Sequence, residues 1–448
     1  MHRRDFLKQS LLTTASLALA RATAQSPADY TLEIAPYTLD LSSKHSVRTL
    51  AYNGQMPGPL LRLKEGRPVT IDVHNATRDP EIVHWHGLFT APEVDGSMEE
   101  GTPMIPPGAK ARYTFTPRPA GFRWYHTHVS AGHNFKRGAY TGLHGFLLVE
   151  GNSDPGRYDQ EFFLSLHDWN PFTTSSDDGY MNPDYSQSAI NGKLLGSGDP
   201  LRVKNGQRVL LRILNSSPTE VHWLALAGHE FQVVALDGNP VPTPHTVSML
   251  RLAPAERIDA IVEMNNPGLW ILGEVRKHIQ AAGMGIAVEY ADRTGAPQWQ
   301  QPTKLQWDYQ QFAASANTQP ASDPEVTTIP LVFESKFMGH GDFDHWTING
   351  KSYPETESPL LTAGKRYRLR FDNRSTDDHP VHLHRHSFEI TRLPAGSPTR
   401  GLVKDVVLVP AMQQMEVEFT ADHPGNTLFH CHQQDHMDMG FMMLFRYA

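Results

Sequence analysis

Hydrophobic and polar positions alternate along the chain in short stretches, interrupted by apolar runs that are just as short. Val69-Thr70-Ile71-Asp72-Val73 alternates strictly, while Leu60-Leu61-Arg62-Leu63 and Gly145-Phe146-Leu147-Leu148-Val149 are mostly apolar. A period of two sends successive side chains to opposite faces of a strand. Gly, Pro and Asn-Gly pairs cut these runs, and no long stretch sustains a helical period. Many short strands at regular spacing predict an all-β chain built of β-sandwiches.

An internal repeat sharpens that expectation. The first copy carries Asn53-Gly54, then Glu65-Gly66-Arg67-Pro68-Val69, then Asn75; the second Asn191-Gly192, Asn205-Gly206-Gln207-Arg208-Val209 and Asn215; the third Asn349-Gly350, Ala363-Gly364-Lys365-Arg366-Tyr367 and Asn373. From each Asn-Gly it is 31, 31 and 33 residues to His84-Trp85-His86, His222-Trp223-Leu224 and His382-Leu383-His384. A later glycine marks a second landmark in each copy: Gly121 five before His126, Gly268 five before Gly273, and Gly425 five before His430. Copies one and three thus hold His-x-His twice, and copy two keeps the frame without the ligands. The expected division is three sandwiches over 25–155, 156–292 and 325–448, with the Gln-, Ala-, Thr- and Pro-rich segment 293–324 connecting the last two.

Residues 1–24 read as an export signal of the twin-arginine type. Arg3-Arg4-Asp5-Phe6-Leu7-Lys8 opens it, 11–20 are mostly apolar, and Ala22-Thr23-Ala24 supplies a cleavage site before Gln25. The apolar run is too short to span a bilayer, and no later stretch is long and apolar enough. The expected location is the periplasm or the exterior, reached through the twin-arginine export machinery. The chain carries 40 Lys+Arg and 48 Asp+Glu, a net of −8 with histidine neutral. The signal holds four Lys+Arg and one Asp, so without it the net is about −11, −8 minus 3. That balance argues against nucleic acid as the main partner. Cys431 is the only cysteine, so no internal disulfide can form even where the compartment would permit one.

The candidate chemistry lies in the histidines. In His430-Cys431-His432, strand alternation sends the two imidazoles to one face and the thiol to the other. The other pairs, His84/His86, His126/His128 and His382/His384, likewise each share a face. Eight imidazoles from four pairs are too many for one tetrahedral zinc and suit a multi-metal cluster between copies one and three. Cys431, His379 and His436 remain for a separate site with the Cys, His, His composition of blue copper.

With these motifs the sequence resembles the three-domain bacterial multicopper oxidases, the laccase-like family, over essentially the whole chain after the signal. The resemblance rests on His84-Trp85-His86-Gly87, His126-Thr127-His128, His379-Pro380-Val381-His382-Leu383-His384 and His430-Cys431-His432-x3-His436. It implies three cupredoxin-like Greek-key sandwiches and four coppers per chain. A type 1 copper would be held by His379, Cys431 and His436, with Phe441 at the axial position ten residues after the cysteine and Met442 as its rival. A type 2 copper would be held by His84 and His382. Of the type 3 coppers, one would be held by His86, His126 and His432 and the other by His128, His384 and His430.

The implied reaction is one-electron oxidation of a reductant at the type 1 site, transfer through His430-Cys431-His432, and four-electron reduction of dioxygen to water at the cluster. Asp95, in Glu93-Val94-Asp95-Gly96, matches the family's acidic residue near the type 2 copper, although Asp before Gly is also a common turn. The sequence departs from the family at Met437, where an acidic residue often follows the last type 1 histidine, with Asp435 and Asp438 beside it. It departs again at Arg385, where many members have Gly. His222 and His229 read as relics or ordinary core residues. Met437, Met439, Met442 and Met443 read as plastic core or as soft metal donors. His133, His144 and His386 stand off the ligand pattern, and Asp377 and Asp378 read either as substrate-facing or as turn residues.

The expected reductant is a phenol or aromatic amine. The alternative is a metal ion, Cu(I), Mn(II) or Fe(II), although no long Met-rich insertion marks a cuprous oxidase. A copper-free envelope scaffold on the same fold would have eroded ligands, whereas all eleven stand here.

Overall fold

The computed structural model describes residues 26–151, 155–175, 181–314 and 326–448. The expected export signal lies outside the described residues. The regular structure of the described residues is almost entirely strand, arranged as six sheets that pair into three sandwiches.

The repeat seen in the sequence is a repeat of structure. In each sandwich the opening strand runs parallel to a strand ending in one of the repeated asparagines: Tyr30–Asp40 beside Val69–Asn75, Gln160–Ser175 beside Arg208–Asn215, and Thr327–Lys336 beside Arg366–Asn373. The Asn-Gly pairs take left-handed turns, with φ of 53° at Asn53, 49° at Asn191 and 53° at Asn349. Asparagine tolerates that conformation because its short amide can bond locally. Here each amide clamps the opening strand: Asn53 bonds the backbone of Thr31 and Glu33, Asn191 that of Phe163 and Ser165, and Asn349 that of Pro330 and Val332.

The later asparagines are buried and fasten the loop that follows. The Nδ2 atoms of Asn75, Asn215 and Asn373 donate to the carbonyls of Asp79, Glu220 and Asp377, while their Oδ1 atoms accept from the amides of Thr77, Ser217 and Ser375. A buried amide with its bonds made is worth keeping, because leaving one unpaired costs about 1–3 kcal/mol. These loops lead directly into the histidine strands.

The second copy keeps the frame but not the register. His84 lies opposite His126 and His382 opposite His430, yet Gly273 lies opposite Ala225 rather than His222. Between the second and third sandwiches, Gln298 bridges to Trp270, and Tyr309 and Phe312 are buried. The cores of those two sandwiches are continuous, while the first has a separate one. Strand Thr427–Cys431 lies between His379–Leu383 and Met442–Tyr447 and carries the alternation that matters most. Cys431 joins the core of the third sandwich with Phe333, Phe441 and Val381. His430 and His432 point the other way, toward the first sandwich.

Candidate metal centre

Eight imidazoles meet where the first and third sandwiches face each other. His86 stacks on His382 at 3.8 Å between ring centroids and His84 on His384 at 4.0 Å. His126 lies 5.2 Å from His432, and His128 5.0 Å from His430. Backbone carbonyls fix several tautomers: Nδ1 donates to the carbonyl of Asp95 from His84 (2.9 Å), of Thr127 from His126 (2.7 Å), of Asp405 from His382 (2.6 Å) and of Cys431 from His430 (2.8 Å). Each bond leaves an Nε2 lone pair facing the cluster, as a metal-ligating histidine requires.

The unpartnered nitrogens are the test of fit. His84 Nε2, His382 Nε2, His86 Nδ1, His126 Nε2 and His432 Nε2 are buried without a hydrogen-bond partner. The Nε2 atoms of His128 and His384 stand 3.4 and 3.1 Å from that of His430. Ligand-type atoms of His84, His382 and His384, of His84, His86 and His126, and of His128, His384 and His430 each lie within 4.8 Å of one another. Burial pulls the pKa of all eight imidazoles down, that of His128 to about 4. Neutral imidazoles with converging lone pairs are poor neighbours for each other and good ligands for metal ions.

The second group sits on the opposite face of the same strand. Cys431 Sγ is 3.8 Å from His379 Nδ1 and 3.6 Å from His436 Nδ1, and the two nitrogens are 3.1 Å apart. His379 Nε2 bonds Ser375 Oγ at 2.8 Å, which reserves Nδ1 for the centre. Burial pushes the Cys431 thiol well above its usual range, so a bound cation must secure the thiolate. Phe441 stands over the group, its ring 4.7 Å from that of His379. Met442 lies opposite His430 in the ladder, which turns its side chain to the cluster face and away from Cys431. Trp346 covers the group, 4.2 Å from the His436 ring.

Acidic residues support the cluster, and sequence reasoning found one of three. Asp95, fully buried at the end of the helix Pro92–Asp95, accepts from His384 Nδ1 at 2.9 Å and from Thr90 Oγ1 at 2.6 Å, and lies 3.1 Å from His84 Nδ1. Burial would raise its pKa, but the His84 and His384 imidazoles outweigh that and hold it well below the carboxylate range. Glu100 reaches the same His384 Nδ1 at 3.3 Å, and burial together with the charge of Asp95 pushes its pKa well up. Asp405 bonds His86 through Oδ1 and His382 through its carbonyl. Nothing in Val403-Lys404-Asp405-Val406 marks it, because its partners lie far off in the chain.

The comparisons with known proteins give the family. Multicopper oxidase family models match residues 33–154, 160–288 and 299–448. A multicopper oxidase of Mycobacterium tuberculosis, MmcO, is 32% identical across 92% of this chain and 85% of its own length. The chain belongs to the multicopper oxidases. It is a copper-dependent oxidoreductase that takes electrons from a reductant and passes them to dioxygen. The crystal structure of a multicopper oxidase from Pseudomonas thermotolerans superposes with a TM-score of 0.74 at 26% identity, covering 94% of this chain and all of the other. Fet3p, a multicopper oxidase that functions in iron import, shares the fold with a TM-score of 0.79 at 19% identity over 94% of this chain and 90% of its own. The cupredoxin-like architecture expected from the motifs is the one observed.

Several residues off the ligand pattern of this oxidase now have places. His144 bonds Ser165 and Ser216, and His386 bonds the His384 carbonyl and Tyr447. His229 bonds the Ala227 carbonyl and Tyr290, and exposed His133 lies 3.7 Å from Asp342. Met437 and Met443 are buried, Met439 and Met442 half-buried. Asp438 accepts from the amides of Ala131 and Gly132, whereas buried Asp435 keeps Oδ1 unpartnered. Asp378 accepts from the Ala411 amide, and Asp377 is exposed. Arg385 takes φ of 59°, the left-handed position that Gly87 fills at 80° in the first copy. The strain that glycine would avoid is offset by guanidinium bonds to the carbonyls of His423, Pro424 and Asn426.

Proposed function

We propose that this chain is a laccase-like oxidase, exported by the twin-arginine route to the periplasm or exterior, that holds four coppers and oxidises phenols or aromatic amines. The observation that carries the reading is the joining of two ligand groups through three consecutive residues. Cys431 lies in one group, and its covalent neighbours His430 and His432 lie in the other. His379, Cys431 and His436 would hold a type 1 copper under Phe441, and His84 and His382 a type 2 copper. His86, His126 and His432 would hold one type 3 copper, and His128, His384 and His430 the other. When bound, copper supplies one-electron redox chemistry at the thiolate and dioxygen reduction to water within the cluster.

The protein contributes order and proton control. Carbonyls set the histidine tautomers, so the ligands are aligned before metal arrives. Asp95 holds His84 and His384 and lies where a proton can be handed inward. The reductant approaches at His436, whose ring packs on the buried Trp346, with exposed Phe337 and Met338 on the loop before that tryptophan.

A metal-ion substrate is the second reading, favoured by two acids in the same place. Asp344 has a buried Oδ1 without a partner, and exposed Asp377 carries charge close to both Asp344 and His436. A steady-state panel on copper-loaded protein decides between them. Faster turnover of substituted phenols than of Cu(I), Mn(II) or Fe(II) supports the first reading. The reverse order, lost in Asp377→Asn, establishes the second.

A further inference from the structure

The second sandwich holds none of the proposed copper ligands, yet it sends a charged group to the edge of the cluster. Asp405, fully buried, lies where all three sandwiches meet. Arg257 of the second sandwich grips it with two bonds of 2.6 Å, one to each carboxylate oxygen. Arg123 of the first sandwich adds a bond of 3.2 Å to Oδ2. Asp237, again of the second, accepts from the backbone amides of Asp405 and Val406 at 3.3 and 3.1 Å. Lys404 and Glu256 complete the node, with Lys404 Nζ 2.9 Å from Asp237 and 3.1 Å from Glu256. Three carboxylates face three cations, so the node is neutral as a whole.

The geometry at Asp405 is directional. Its Oδ1 accepts from His86 Nε2 at 3.2 Å, and its carbonyl accepts from His382 Nδ1 at 2.6 Å. The first bond leaves His86 Nδ1 free and the second leaves His382 Nε2 free; both of those atoms are unpartnered. One residue therefore sets the tautomer of two histidines in opposite senses. Because Arg257 occupies both carboxylate oxygens, Asp405 meets the cluster as a hydrogen-bond acceptor and not as a ligand. The node also leaves no room at residue 87, where a Cβ would come within 2.6 Å of Asp405 Oδ2 and 2.9 Å of Arg257 Nη2.

We propose that Asp405 is a positioning residue that fixes His86 and His382 together, and that Arg257 and Asp237 are the means by which the ligand-free second sandwich orders the metal centre. This rests on the copper assignment above. Outer partners of metal-ligating histidines typically change metal affinity by about 10–100-fold.

The test is a copper titration of metal-free wild type, Asp405→Asn and Arg257→Lys, following the blue band of the Cys431 site and the paramagnetic resonance of the cluster separately. Asp405→Asn should weaken cluster loading about tenfold or more while the blue band fills as in wild type. Arg257→Lys keeps the charge but loses the two-pronged grip, and should shift the cluster alone, by less. Cluster loading in Asp405→Asn equal to wild type, or lost in parallel with the blue band, overturns the proposal. If Asp405→Asn does not fold, Arg257→Lys is judged by the same criteria. Wild type that fails to load its cluster instead refutes the copper assignment itself.

Discussion

His222 and His382 occupy the same place in the repeat and have become chemical opposites. His382 gives one nitrogen to a carbonyl and keeps the other free in a neutral, buried ring. His222 gives both nitrogens to carboxylates, Asp168 at 2.9 Å and Glu274 at 3.1 Å. Burial works against its charge, but those two acids outweigh it and push its pKa up to about 10. An imidazolium has no lone pair and cannot bind metal. Ligand or structural cation is decided by what the ring nitrogens meet, a carbonyl and a gap or two carboxylates, rather than by the histidine or its strand.

The same substitution at both positions sharpens that contrast. His382→Gln should remove copper from the cluster and abolish dioxygen uptake while the metal-free protein melts almost as wild type. His222→Gln should keep full copper content but lose about 3 kcal/mol of stability, because two buried acids lose their cation. Elemental analysis and thermal melts of both variants check this; copper loss in His222→Gln would break the contrast.

Asp95→Asn comes next in size. It should slow reoxidation by dioxygen by about 100-fold and leave reduction of the blue site unchanged, since proton delivery is separate from electron entry. Stopped-flow reoxidation at wild-type rates across pH would remove that role.

The charge on His222 also predicts a pH window. Its folded pKa of about 10 exceeds the unfolded value near 6.5, so its stabilisation is complete below pH ~6.5 and is lost as pH rises through about 10. The difference in melting temperature between wild type and His222→Gln should be widest near pH 6 and shrink toward pH 10.

The smallest expected effect is at the blue site, where Phe441 offers no donor. Phe441→Met should lower the type 1 potential and slow the oxidation of reluctant phenols, and Met442→Leu should change neither. Redox titration of both variants checks this.

What was legible in the sequence was local and periodic. The Asn-Gly turns and the buried asparagines each bond within their own sandwich, so their spacing reported the three-fold frame. The His-x-His pairs gave the cluster because an extended backbone puts both rings on one face, although His86, His128, His384 and His432 each stand just past the end of their strand. The supports of the site were hidden by distance. His86 meets Asp405 across 319 positions, and Arg257 reaches it across 148. His222 looked like a spare core residue because Asp168 and Glu274 stand 54 and 52 positions away. The shifted register at Gly273 was equally silent, since a slip of pairing leaves the spacing of the landmarks intact.

If one strand serves two metal sites from its two faces, the copper content of wild type and Cys431→Ser must show it. Loaded wild type should hold about four coppers with an intense blue band, and Cys431→Ser should hold about three with the band gone and substrate oxidation lost. Zinc in place of copper, a single copper at saturation, or a blue band that survives the substitution would contradict it.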